Sequence, residues 1–300
     1  MSGNLLGVGP IGWVNDDLRD WGAGRDGLEV LRDISELGFH GTEMSYSFPQ
    51  EPADLRRTLD GFGLVLAAAY RWTNFTVPEF HAEEIELAKA HVDFCKAAGA
   101  RFATLAEGGG SQHWDRRGAR QVVERLDDAG WKLLVAGLEE VGDYARRQGI
   151  RLSVHPHGGT AVESAEEVGR LLGALDPELV GYCFDSGHAL YGGSDPARLA
   201  GRWAHRISYV HLKDVRPEVL GRARAEGWDF ATSVRHNIFC TPGVGVIDFD
   251  PLMAVLNDAG YQGWLVIEAE QDPELHDARD VSGKALELLK GRYGLKGRNG

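Results

Sequence analysis

Apolar residues recur along the chain in two registers that take turns. Short unbroken runs cover Leu5–Ile11, Gly41–Met44, Leu64–Ala69 and Phe102–Ala106 in the first half. Arg151–His155, Val180–Phe184, Ile207–Leu212 and Trp264–Ile267 follow in the second. Continuous rather than alternating runs predict strands buried on both faces, as in a parallel sheet. Between them the period lengthens to that of a helix. Ile85, Ala88, Val92 and Cys95 share one stripe of Ala82–Ala98, and Leu134, Leu138, Val141 and Ala145 share one of Trp131–Gln148. Gly38, Gly99 and Gly149 close three such segments, where a left-handed residue ends a helix. Ser164 opens SAEE, a capping box. ELGFHGTEM, AAGARFATL, RQGIRLSVH and DAGYQGWLVIE share one grammar: a helix stops at Gly, a turn follows, and a strand begins.

Eight such units in 300 residues predict an α/β fold, a (β/α)8 TIM barrel, forming a single domain over residues 1–300. A doubly wound open sheet is the competing reading, but no helix opens on the glycines of GVGPIG after the first run. Two segments interrupt the repeat, about 108–130 and about 215–250, and loops of this length in a compact domain are often lids or binding loops. The tail KGRYGLKGRNG is expected to fray.

Charge narrows the function. Lys and Arg number 32 against 45 Asp and Glu, a net charge of −13, which argues against a nucleic-acid surface. No apolar run approaches the roughly 20 residues that span a bilayer. MSGNLLGVGPIGW lacks a basic segment, so no signal peptide is expected. Cys95, Cys183 and Cys240 are widely spaced and odd in number, which predicts no disulfide framework and a cytoplasmic location. Cys183 lies in an apolar run and is expected to pack in the core, with no cysteine placed to join a metal site.

In a TIM barrel the chemistry sits at the C-terminal ends of the strands. Trp13 and Asn15 follow the first run, Glu43 ends the second, Tyr70, Arg71 and Trp72 end the third, and Glu107 ends the fourth. His155 and His157, Asp185 and His188, His211 and Lys213, and Glu268 and Glu270 follow in turn. Four of the eleven histidines thus meet carboxylates at consecutive strand ends. His155, Asp185, His211 and Glu268 form a mixed set suited to a divalent ion, Mn or Co first, with Zn, Mg and Fe as alternatives.

At these residues the sequence resembles the xylose-isomerase-like TIM barrels, which include sugar isomerases, tagatose-type epimerases and endonuclease IV-like enzymes. PIGWVNDD, HPHGGTAVES, FDSGHALYGGSDP, VHLKDVRPEVLGRARAEGWDF and VIEAEQDP resemble most closely the myo-inosose dehydratase branch of inositol catabolism, over nearly the whole chain. The resemblance places the family's four metal ligands on His155, Asp185, His211 and Glu268. The epimerase branches carry Glu where His155 stands, so it implies a metal-dependent lyase that dehydrates a keto-cyclitol. A ketose isomerase or epimerase is the alternative. Such a dehydration needs an acid and a base, and His157 and His188, beside ligand positions, are the candidates with Glu107, while Glu43 could also serve as base. Trp13, Asn15, Glu43, Arg71 and Lys213 are implied as substrate-binding, while Glu270 stays unassigned. The implied partner is a small keto-polyol, with no nucleic acid and no membrane, and a homo-oligomer is left open. Two departures fall in substrate loops: Val244 stands where the dehydratases carry the acid of PGDG, and Glu107 is followed by Gly108–Gly110.

Overall fold

Parallel strands whose both faces are apolar have no solvent side to present, and here the sheet returns on itself. The computed structural model describes residues 3–298. Its strands are β1 (Leu5–Val8), β2 (Gly41–Thr42), β3 (Val65–Leu66), β4 (Ala68–Thr73), β5 (Phe102–Glu107), β6 (Arg151–Val154), β7 (Val180–Asp185), β8 (Ile207–Leu212), β9 (Asp214–Val215), β10 (Phe239–Cys240) and β11 (Trp264–Ile267). The main sheet runs β3-β2-β1-β11-β8-β7-β6-β5-β4, parallel throughout. Its two ends are one strand interrupted at Ala67: β3 pairs with β2, β4 pairs with β5, and the barrel closes. The eight predicted runs are its staves, and all six residues of β7 are buried.

The helices between the staves begin and end where their chemistry directs. α1 (Gly27–Leu37) is capped by Asp26, whose side chain accepts from the amide of Leu28, and stops at Gly38 with φ 92°. α2 (Pro52–Gly61) and α3 (His81–Ala97) follow, and α4 (Asp128–Gln148) ends at Gly149 with φ 75°. α5 (Ala165–Ala174) carries the capping box of Ser164 and Glu167, a reciprocal pairing that satisfies two otherwise orphaned amides. The circuit continues with α6 (Ser186–Tyr191), α7 (Pro196–Trp203), α8 (Pro217–Glu226), α9 (Phe230–Arg235), α10 (Phe249–Asp258) and α11 (Ala278–Tyr293).

Both predicted interruptions are ordered. The first is tied by Asp115, which accepts from the amides of Gly110 (2.7 Å) and Arg117 (2.7 Å) and pairs with the Arg117 guanidinium. The second folds into α8, α9 and the antiparallel β9–β10 ribbon. It surrounds a satellite core of Val215, Leu220, Phe230, Val234 and Phe239. One expectation needs correction. The first strand stops at Val8, and Pro10–Gly12 forms a turn of 3-10 helix. Pro10 lacks an N–H and its φ is fixed, so it cannot continue the ladder. The tail is tied down as far as Arg298, whose guanidinium donates to the carbonyls of Ser35 (3.0 Å), Phe62 (2.8 Å) and Gly63, and Leu295 is buried. Residues 299–300 lie outside the described residues.

Because these carbonyls are partly shielded, Arg298→Ala is expected to destabilise the chain by about 1–3 kcal/mol, the usual cost of losing charged hydrogen bonds. Urea unfolding midpoints of the two proteins check this, and an unchanged midpoint would show that the tail contributes nothing.

Candidate active site

The staves of a parallel barrel end together at one rim. His155 follows β6, Asp185 closes β7, His211 is the penultimate residue of β8, and Glu268 follows β11, so the four predicted ligands meet there. Asp185 Oδ2 lies 3.6 Å from His155 Nε2 and 3.5 Å from His211 Nδ1. His211 Nδ1 lies 2.7 Å from Glu268 Oε2. Two donors each about 2.1 Å from one tetrahedral ion stand about 3.4 Å apart, close to the first two separations. The four form a chain of contacts centred on His211 rather than one compact tetrad: Glu43, His211 and Glu268 make one close triad, and His155, Asp185 and His188 another.

Among the described residues, both nitrogens of His155 and Asp185 Oδ2 are buried without a hydrogen-bond partner, while His211 Nδ1 and Glu268 Oε2 are buried against each other at 2.7 Å. A buried polar atom without a partner costs on the order of 1–3 kcal/mol, and here the orphans face one another. Imidazoles and carboxylates so arranged fit a divalent ion. Cys183, expected only to pack in the core, is buried there and also lies beneath the cluster within reach of His155 and His211.

Local structure explains why each donor is free. Asp185 Oδ1 accepts the amide of His188 (2.8 Å) and so caps α6, which leaves Oδ2 for the rim. His211 Nε2 meets Glu43 Oε1 at 2.9 Å, which commits one ring nitrogen and turns the other inward. Glu43 borders the cavity, but that oxygen orients His211 rather than awaiting substrate. Lys213, expected to bind substrate, is wholly buried. Its Nζ lies 2.7 Å from Glu270 Oε2, 3.0 Å from His188 Nε2, 3.3 Å from Glu268 Oε1 and 3.4 Å from Asp185 Oδ2.

The same contacts set the protonation states. Burial disfavours the Asp185 carboxylate, but Lys213 and the neighbouring imidazoles outweigh it and hold its pKa well below the usual range. Burial also opposes a charge on His211, yet Glu43 and Glu268 hold its pKa well above that of free imidazole. Burial, with Lys213 beside it, keeps His188 well below. His188 Nδ1 accepts the amide of Gly158 at 3.2 Å and its Nε2 lies 3.0 Å from Lys213 Nζ, so the ring is engaged at both nitrogens. His157 differs. Its Nδ1 faces the carbonyl of Gly158 (2.9 Å) and must carry the proton of the neutral ring, so Nε2 is a bare lone pair. Burial and the nearby His188 keep this ring neutral. Glu270 Oε1 stands 4.0 Å from that nitrogen, and burial pushes the Glu270 carboxyl up to about 8 despite Lys213.

A cavity opens beside these groups. His155, His157, His211, Glu43, Glu268 and Glu270 line its floor, and Tyr70, Asp16 and Asp17 its wall. Burial raises the Asp17 carboxyl to about 6. Trp72, His113 and Phe230 pack around His157, with ring centroids 4.8, 5.5 and 4.9 Å away.

Four expected residues lie elsewhere. Trp13 is in the main core, its Nε1 donating to Asp33 (3.1 Å), because the turn at Pro10 rotates it inward. Arg71 pairs with Glu84 (3.3 Å) and borders an adjoining groove, since alternation along β4 sends Tyr70 and Trp72 to the site instead. Glu107 is spent on its own loop: it accepts from the amides of Phe75 (3.0 Å), Thr76 (3.2 Å) and Gly109 (2.9 Å) and from the hydroxyls of Thr73 and Thr76. Burial raises its pKa to about 7, but it does not border the cavity. Asn15 accepts from the amides of Asp17 (2.8 Å) and Leu18 (2.7 Å) and borders a neighbouring pocket shared with Glu270. Asp16 and Asp17 were missed although they stand together in WVNDD. Their signal was visible, but their direction was not.

Fold and site together define a parallel βα barrel with a buried imidazole–carboxylate ligand set at its C-terminal rim. The family described as "Xylose isomerase-like TIM barrel" matches residues 31–292. The chain is 43% identical over 270 residues to the inosose dehydratase of Geobacillus kaustophilus, covering 89% of this chain and 88% of that protein. It is 34% identical over 293 residues to the inosose dehydratase of Clostridium beijerinckii, covering 97% of each. The chain belongs to the xylose isomerase-like TIM-barrel family and, within it, to the group of the inosose dehydratases. Solved structures repeat the fold at low identity. The IOLI protein with a binding zinc atom aligns with TM-score 0.73 at 16% identity, covering 96% of this chain and 99% of that one. A probable 3-DHS dehydratase, AsbF of Bacillus anthracis, gives 0.73 at 12%, covering 97% and 100%.

An ion must displace the proton that Glu43 and Glu268 hold on His211, so acid should weaken binding. Calorimetric titration with Mn²⁺ is expected to show affinity falling by about tenfold per pH unit where one proton is displaced. Equal affinity at pH 6 and pH 8 would contradict this.

Proposed function

We propose that this chain is a metal-dependent hydro-lyase that removes water from an inosose-type keto-cyclitol in inositol catabolism. The observation that carries the chemistry is the pair of proton carriers on one cavity wall, His157 with a bare Nε2 and Glu270 holding its proton to about 8. The substrate class rests on the relatives of closely matching length that bear the name inosose dehydratase. His155, Asp185, His211 and Glu268 would hold the ion. Two imidazoles with two carboxylates favour Mn or Co. When bound, such an ion supplies Lewis-acid polarisation of the ketone.

Dehydration requires a proton to leave the carbon beside the ketone and a hydroxyl to leave the next carbon. His157 Nε2 takes the proton, and its ring is held for this by Gly158 and by the packing of Trp72 and Phe230. Glu270 protonates the departing hydroxyl, releasing water and leaving an enol that tautomerises to the diketone. His188, closed on both nitrogens, supports the ring of His157 at a centroid distance of 3.8 Å rather than exchanging protons. Glu43 keeps His211 oriented. Asp16, Asp17 and Tyr70 face the polyol hydroxyls from the cavity wall. The carboxylate-rich wall suits a neutral polyol and repels nucleic acid. Among the described residues no helix is long and apolar enough to cross a membrane. The three cysteines are free and buried, which fits a reducing cytoplasm.

A panel of inososes and ketoses with added Mn²⁺ or Co²⁺ tests the reading. An inosose is expected to yield a product absorbing as a conjugated enol, whereas production of isomers alone would favour the epimerase alternative. His157→Ala is expected to retain the ion while turnover drops by about 10²- to 10⁴-fold, the range for a lost acid or base. In Glu270→Gln, exchange of the α-proton with deuterated solvent should persist while loss of water fails. Loss of both steps in that variant would assign Glu270 differently.

A further inference from the structure

The rim holds a second group of ligand-type residues that the proposed reaction uses only in part. One donor atom each from His157, His188 and Glu270 lie within 4.8 Å of one another, and all three side chains are buried. Asp185 Oδ2, itself without a hydrogen-bond partner, faces the same space. What occupies that space is the ammonium of Lys213, 2.7 Å from Glu270 Oε2, 3.0 Å from His188 Nε2 and 3.4 Å from Asp185 Oδ2.

The surrounding chain is built for that ammonium. A Cβ on Gly187 would stand 2.6 Å from Lys213 Cγ, so the stem passes where only glycine leaves room. The Phe239 ring lies 4.9 Å from Nζ and offers its face to the charge. Three carboxylates, Asp185, Glu268 and Glu270, converge on Nζ. Burying the charged carboxylates of Asp185 and Glu268 without a cation would be strongly unfavourable.

We propose that Lys213 stands at the position of a second divalent cation, and that His157, His188, Glu270 and Asp185 form a latent metal site which its ammonium fills. This rests on the metal reading of the first site. An ion there would ask of His188 and Glu270 the same lone pairs that the lysine already engages. Ligand bonds of about 2.0–2.2 Å would require these side chains to close in by roughly 1 Å. The lysine thereby keeps the centre mononuclear and leaves His157 Nε2 unligated. A tethered charge cannot be exchanged or lost with changes in metal supply, so Lys213 is a positioning residue for the proton-transfer pair.

The test counts ions. Wild-type, Lys213→Ala and Lys213→Met proteins are loaded with excess Co²⁺, freed of unbound ion by gel filtration, and assayed for cobalt per chain and for cobalt absorption. Wild type is expected to hold one ion, and both variants two. Lys213→Ala/Glu270→Ala should return to one. A wild type with one ion and folded variants that also hold one would overturn this inference alone, as would two ions in wild type. No ion in any of the proteins would overturn the metal reading and this inference together. If the variants fold only when Co²⁺ is present and then hold two ions, the ion has taken the place of the ammonium. If they fail to fold even with Co²⁺, the ammonium is not replaceable and the proposal fails.

Discussion

The structure depends on neutralising carboxylates at a rim that excludes water. Glu43, Asp185, Glu268 and Glu270 are all buried, and unpaired charge in such a place is too costly to persist. The chain meets this in three ways. Lys213 reaches three of them with one ammonium. His211 sits between Glu43 and Glu268. Burial itself raises the Glu270 carboxyl to about 8. The donors left over, on His155, Asp185, His211 and Glu268, are those that a divalent ion would satisfy. Ligand site and proton-transfer site are thus two outcomes of one electrostatic problem.

The barrel supplies the rim, and the two interruptions shape the cavity above it. The first brings His113 and the second Phe230, whose rings stack at 5.0 Å. The amide of Phe230 donates to Gln112 (3.0 Å), so the two excursions brace each other across the mouth. The satellite core beneath Phe230 holds this contact in place. Neither excursion could do this alone, because the segment containing Gln112 and His113 lacks a core of its own. Their joint effect is to enclose His157, whose neutrality depends on that burial.

His155 is where this chain parts from the epimerase pattern that its sequence resembles. A glutamate there could both ligate and accept a proton. An imidazole can ligate but, once ligated through one nitrogen, is a poor base. In the proposed reaction the proton goes instead to His157, two residues along the same loop, whose Nδ1 is engaged by the Gly158 carbonyl.

The sequence by itself determined the barrel and the residues that meet at its rim. Unbroken apolar runs, glycine stops and a repeat of strand and helix leave few alternatives to a closed parallel sheet. That sheet must bring the residues after each strand to one rim, so His155, Asp185, His211 and Glu268 could be named from their positions alone. Tertiary structure decided which neighbours of those residues are free to act. Glu107 and Trp13 lie at strand ends as surely as Glu268 does. Yet five donors consume Glu107, and the turn at Pro10 folds Trp13 into the core. Glu270 and Lys213 meet at 2.7 Å although they come from different strand ends. A side chain's type and place in the chain are local properties. Its protonation state and its freedom depend on what the fold packs against it from distant segments, and periodicity does not encode that.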